Sequence, residues 1–143
     1  MKSTPLLLIF GMALILLTFS ACDRSNRSGI PYVPVNYQIT VSNPEFSPLL
    51  AVGGYVTIAG GSKGIIVYRF SPEEFRAYDR HCTFMIDDNC RVTMDNTDIS
   101  AVDTECCDSK FLIIDGSPIE GPAAIGLQQY NTDFDGNTLS IFN

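Results

Sequence analysis

Five cysteines and a single histidine carry most of the chemistry open to this 143-residue chain. Cys22 stands alone near the start, while Cys82, Cys90, Cys106 and Cys107 fall in two separate groups. An even set of four in an exported domain points to two disulfides, which can be drawn in three ways. Bridges between the two groups would clamp two loops, each contributing about 2–4 kcal/mol. A bond between adjacent Cys106 and Cys107 would close a strained small ring, so each is expected to reach a distant partner. A four-thiolate metal site and a redox-active thiol pair are the other uses. Structural zinc usually takes its cysteines as two C-x-x-C knuckles, and none is present, so no resident metal is expected. His81 reads as an exposed loop residue. As the sole imidazole it supports no Ser-His-Asp or Cys-His-Asn set, which disfavours hydrolysis and makes the chain read as non-enzymatic.

Three further patterns have simple readings. Asn131, Asp133, Asp135 and Gly136 resemble the front of a calcium loop but lack its closing glutamate, so Asp135-Gly136 is expected to turn a hairpin. Gly53-Gly54 and Gly60-Gly61 flank a strand and are read as turns, because no helix follows either pair to cradle a phosphate. Asp87, Asp88, Asp95, Asp98 and Asp103 could together hold a divalent cation, but a solvated loop between the cysteine groups explains them better.

Short strands must position these residues. Tyr37–Val41, Tyr55–Ile58, Gly64–Phe70, Arg91–Met94, Phe111–Asp115 and Thr138–Phe142 are rich in β-branched and aromatic residues and end in Gly, Pro, Asn or Asp. The one helical candidate is Pro72–Tyr78, with Ser71 as N-cap and Pro72 at the first helical position. The expected class is all-β, an antiparallel sandwich or partly open barrel.

The start of the chain reads as an address. Lys2, then an apolar run over residues 6–19, then Phe19-Ser20-Ala21-Cys22 form a lipoprotein signal peptide over residues 1–21, with Cys22 the lipid-bearing first residue of the mature protein. The apolar run falls short of the roughly 20 residues a spanning helix needs. Residues 22–34 read as a tether and 35–143 as one domain. The expected location is the cell envelope, periplasmic or surface-exposed, anchored to the inner or outer membrane through the lipid on Cys22. Losing Lys2 from nine basic residues takes the net charge from −7 to about −8. With its acids dispersed and no basic patch, the chain is not expected to bind nucleic acid.

One order of segments is more specific. Gly64–Arg69 precedes Phe75-x-Ala77-Tyr78-Asp79-Arg80-x-Cys82; then come Cys107-Asp108-Ser109-Lys110-Phe111, Asp115-Gly116-Ser117-x-Ile119-x-Gly121-Pro122-Ala123 and Leu127-x-x-Tyr130. This resembles a Rieske-type iron–sulfur domain, specifically the lipoprotein-borne Rieske-like proteins of Bacteroidetes-type bacteria, over about residues 35–143. The resemblance implies a β domain with a small two-loop subdomain, each loop offering one cysteine and one histidine to a 2Fe–2S cluster. Those four positions fall on Cys82, Phe84, Thr104 and Cys107, so three of the four do not match. Rieske domains often brace the loops with an extra cysteine in each, and Cys106 and Cys90 take those places. The resemblance therefore implies the pairings Cys90–Cys106 and Cys82–Cys107, the second bridging the former ligand positions. The chain is read as a structural or binding module without the standard cluster, its envelope partner unnamed. The runner-up is a 2Fe–2S electron carrier with atypical ligation by Cys82, Cys106 or Cys107 and His81; a third class is a thiol–disulfide protein using Cys106 and Cys107.

Overall fold

The computed structural model describes residues 28–143. The expected signal peptide, Cys22 and the first part of the expected tether lie outside the described residues. Ten strands follow in order: β1 Asn36–Thr40, β2 Tyr55–Ile58, β3 Ile65–Arg69, β4 Phe75–Asp79, β5 Thr93–Met94, β6 Ser100–Val102, β7 Lys110–Leu112, β8 Pro118–Glu120, β9 Gln129–Phe134 and β10 Thr138–Phe142. Six form an antiparallel sheet in the order β1-β10-β9-β4-β3-β2, curled into a half-barrel, and four form a smaller sheet, β5-β6-β7-β8. The only helical pieces among the described residues are two 3-10 turns, Pro44–Leu50 and Ile86–Asp88. The expected all-β class is the observed one.

The central strands explain the layering. β3 and β4 bury both faces, which is why Ile65–Tyr68 is an unbroken apolar run instead of an alternating one. Ile65, Val67, Phe75 and Ala77 face one core with Leu139 and Ile141. Ile66, Tyr68 and Tyr78 face the other, against Val92, Ala101, Phe111 and Ile113 of the smaller sheet and its approaches. Each large side chain so buried contributes on the order of 1.5–3 kcal/mol. The second core is what seats the two-loop subdomain on the half-barrel.

Two expectations change here. Pro72–Tyr78 is not a helix: Ser71 turns the chain instead, its Oγ accepting from Glu74 N at 3.1 Å while Ser71 N donates to Glu74 O at 3.0 Å. Phe75–Asp79 then runs antiparallel to β3, with Arg69 opposite Phe75 and Ile65 opposite Asp79. Ser-Pro at a helix start and Ser-Pro in a hairpin turn look alike locally, and two buried neighbouring strands decided between them. The last residues of the tether are also held: Ser28 Oγ donates to Gln128 Oε1 at 2.9 Å, Ile30 is buried, and Asn143 Nδ2 donates to Val33 O at 2.9 Å.

Arg69 closes the turn end of this hairpin. Its guanidinium donates to Leu49 O at 2.8 Å and to Pro72 O at 2.5 Å and lies over the rings of Phe75 and Phe134, 5.2 and 5.7 Å from their centres. The opposite end of β4 delivers Asp79, His81 and Cys82 to the loops. The Asp135-Gly136 turn joins β9 to β10 as expected, with Gly136 at φ +99°.

Candidate functional site

A short ladder carries β4 into the first loop. Val92 N donates to Arg80 O at 2.7 Å and Cys82 N to Cys90 O at 3.0 Å, with His81 bridged to Arg91. Just before it, Asp79 is fully buried and accepts four hydrogen bonds: from Ser62 N at 2.6 Å, Lys63 N at 3.2 Å, His81 N at 2.8 Å and Tyr130 Oη at 2.7 Å. Burial and the neighbouring Asp79 carboxylate push the Tyr130 hydroxyl well above the ordinary phenol range. Gly61, at φ +59°, has no Cβ because one would run into the Asp79 carboxylate and the Tyr130 hydroxyl.

His81 is not the exposed loop residue expected from sequence; it is buried. Its Nδ1 lies 2.7 Å from Ser62 Oγ and its Nε2 lies 3.0 Å from Ile86 O. A carbonyl can only accept, so Nε2 carries a proton, and in the neutral ring Nδ1 accepts from the Ser62 hydroxyl. The fold thus binds both ring nitrogens. The backbone donors beside the Ser62–His81 pair, Ser62 N and Lys63 N, are both taken by Asp79 and are not free to meet an oxyanion.

The four cysteines meet as two separate pairs. Cys90 and Cys106 form a disulfide between the loops, spanning 16 residues. Cys82 and Cys107 are free thiols whose sulfurs lie 3.7 Å apart. The expected Cys82–Cys107 bridge is therefore not closed in this structure, since a disulfide needs about 2.05 Å. Adjacent Cys106 and Cys107 leave the turn in different directions, one outward to Cys90 and one inward to Cys82. They are not a vicinal redox pair.

Asp103 completes the inner group. It was read as part of a solvated acidic loop and is instead fully buried. Its Oδ1 accepts from Glu105 N at 3.2 Å and Cys106 N at 3.1 Å, an Asx turn that starts the second loop. Its Oδ2 faces Cys107 Sγ at 3.2 Å. Ser109 Oγ lies 3.0 Å from Cys107 Sγ and accepts from Ala123 N at 2.9 Å, tying in the loop after the cis Gly121–Pro122 peptide. Thr83 Oγ1 donates to Ile125 O of that same loop at 2.5 Å. Burial pushes the Cys82 thiol up to about 12, which favours its protonated form while no metal is bound. Asp87, Asp88 and Asp98 are exposed, in keeping with a solvated loop, while Asp95 pairs with Lys110 at 3.7 Å.

The two remaining positions that the Rieske resemblance implied as ligand sites hold no donor aimed inward. Phe84 packs its ring against the second core, and Thr104 is exposed on the turn. A Rieske centre takes two thiolates on one iron and two imidazoles on the other. Two sulfurs, a carboxylate and a histidine already bound elsewhere do not fit it.

The two sheets and the loops they carry define a Rieske-like fold. Solved structures show the same arrangement. The cyanobacterial plasma membrane Rieske protein PetC3 from Synechocystis PCC 6803 is similar with a TM-score of 0.53 and 21% identity, over 66% of this chain and 91% of that one. The ferredoxin of carbazole 1,9a-dioxygenase from Nocardioides aromaticivorans IC177 is similar with a TM-score of 0.51 and 14% identity, over 78% of this chain and 98% of that one. At these identities the likeness is one of fold. No family model and no curated relative matches the sequence.

Proposed function

We propose that this protein is a lipid-anchored component of the bacterial cell envelope, of the Bacteroidetes-type lipoprotein group, whose Rieske-like domain serves as a structural or binding module without the standard 2Fe–2S cluster. The observation that carries this reading is the state of His81: the only imidazole in the chain is hydrogen-bonded through both nitrogens inside the fold. What is left near the loops is two thiols and one carboxylate. Loss of the metal link is offset by cross-links between the loops. Cys90–Cys106 is one, and thiol–disulfide exchange with an external disulfide, which leaves as two thiols carrying the electrons and protons of Cys82 and Cys107, makes the second from sulfurs 3.7 Å apart. The lipid reading rests on the sequence around Cys22, and the partner is another envelope protein.

The test is purification under argon followed by a spectrum and assays for iron and acid-labile sulfide. A colourless protein lacking both agrees with the proposal. Brown material with stoichiometric iron and sulfide overturns it and installs the electron carrier with atypical ligation. Labelling cells with radioactive palmitate checks the anchor: the wild type takes up label, and Cys22→Ala does not.

A further inference from the structure

We propose that Cys82, Cys107 and Asp103 form a binding site for a single thiophilic divalent cation, zinc above all, in the reduced state of the pair. This rests on the reading that no 2Fe–2S cluster occupies the loops. The spacing is the first support. Two sulfurs at about 2.3 Å from one tetrahedral ion lie about 3.8 Å apart, and a carboxylate oxygen lies about 3.5 Å from each. The observed separations are 3.7 Å between the sulfurs and 3.2 Å from Asp103 Oδ2 to Cys107 Sγ. The three donor atoms lie within 4.8 Å of one another.

The setting of Asp103 is the second support. It is fully buried and makes no ion pair among the described residues. One oxygen is fixed by two backbone donors, which aims the other at the thiols, as an outer hydrogen-bond shell aims a metal ligand. Two thiolates with one carboxylate suit zinc over magnesium or calcium, which prefer all-oxygen sites. Each thiol gives up its proton when the ion binds, so two protons leave per ion. Half-exposed Cys107 provides the way in, and buried Cys82 forms the back of the site. The fourth position is left to water, beside Ser109 Oγ. The second group of this kind, Cys90 with Asp103 and Cys106, is ruled out because its sulfurs are bonded to each other.

Cobalt(II) is the probe, added anaerobically to protein in which thiol counting under denaturing conditions gives two besides Cys22. The expected result is one equivalent bound, with a near-ultraviolet thiolate-to-cobalt band, four-coordinate visible bands, and displacement by zinc. The charge-transfer intensity should halve in Cys107→Ser, a near-isosteric change at a partly buried position, and affinity should fall at least tenfold in Asp103→Asn. Zinc should also raise the melting temperature of the wild type and not of Cys107→Ser. A colourless protein that binds no cobalt, or one whose bands survive Cys107→Ser unchanged, overturns this site while leaving the cluster-free reading intact. Iron with acid-labile sulfide defeats that reading instead.

Discussion

Removing the Cys90–Cys106 bridge while keeping the rest of the domain isolates what the cross-link does. A bridge between residues 16 apart withdraws chain entropy from the unfolded state worth about 3 kcal/mol at 25 °C. For a domain of this size the unfolding entropy is about 0.24 kcal/mol/K, so the melting temperature should drop by about 12 °C. With a urea slope of about 1.5 kcal/mol/M, the midpoint should fall by about 2 M. Cys90→Ala/Cys106→Ala is the variant, and reduced wild type is its control. Cys90 is buried and Cys106 exposed, so the alanine pair leaves a small cavity at one end only. The control lacks that cavity, and the difference between the two separates packing from cross-linking. Urea unfolding followed by far-ultraviolet circular dichroism reads both. A loss below about 1 kcal/mol in both forms would refute the reasoning, because the loops would then be held by the second core alone.

Other expectations follow from the same contacts. Asp79→Asn replaces one acceptor oxygen of a four-donor carboxylate with an amide group that donates, and should cost about 2–3 kcal/mol, measured by urea unfolding; Tyr130→Phe, which removes only one of the four bonds, should cost about 1 kcal/mol. Gly61→Ala drives a methyl group at the same carboxylate from a left-handed backbone, and a drop in melting temperature of at least several degrees should register it. Stability should fall on the alkaline side. Burial raises both Cys82 and Tyr78 to about 12 from ordinary values of 9.0 and 10.0, so above pH 9 the unfolded chain holds fewer protons than the folded one and unfolding gains. Urea midpoints at pH 7, 9 and 10.5 should decline in that order, and a flat profile would contradict the burial of these groups.

The sequence made the strands with clear apolar ends legible: Tyr55–Ile58 and Thr138–Phe142 fall where their β-branched residues put them. β9 was missed because Gln129–Phe134 alternates polar residues with single aromatics, and its pairing with β4 and β10 supplies what its own propensity lacks. β4 was hidden by a helix-like start. At the site, the spacing of the four cysteines and the order of segments led to the two loops. Asp103 escaped because an acidic residue in a polar stretch reads as solvated; the available signal was an Asp opening the turn before Cys106, its carboxylate in reach of the backbone N–H two residues on, at Glu105. His81 escaped because its partners, Ser62 and Ile86 O, come from a distant turn and from a backbone carbonyl, neither of which one sequence displays.

Arg69 and Asp79 sit at opposite ends of the paired β3 and β4, which are five residues each, so the two fastenings are separated by on the order of 13 Å of hydrogen-bonded ribbon. One end is riveted by a guanidinium wedged between aromatic rings and carbonyls; the other is pinned by a carboxylate gripping neighbouring amides. A displacement at the thiols must therefore pass the Asp79 pin and the paired ribbon before it reaches the Arg69 end, so the tip and the base of the half-barrel are held by separate fastenings.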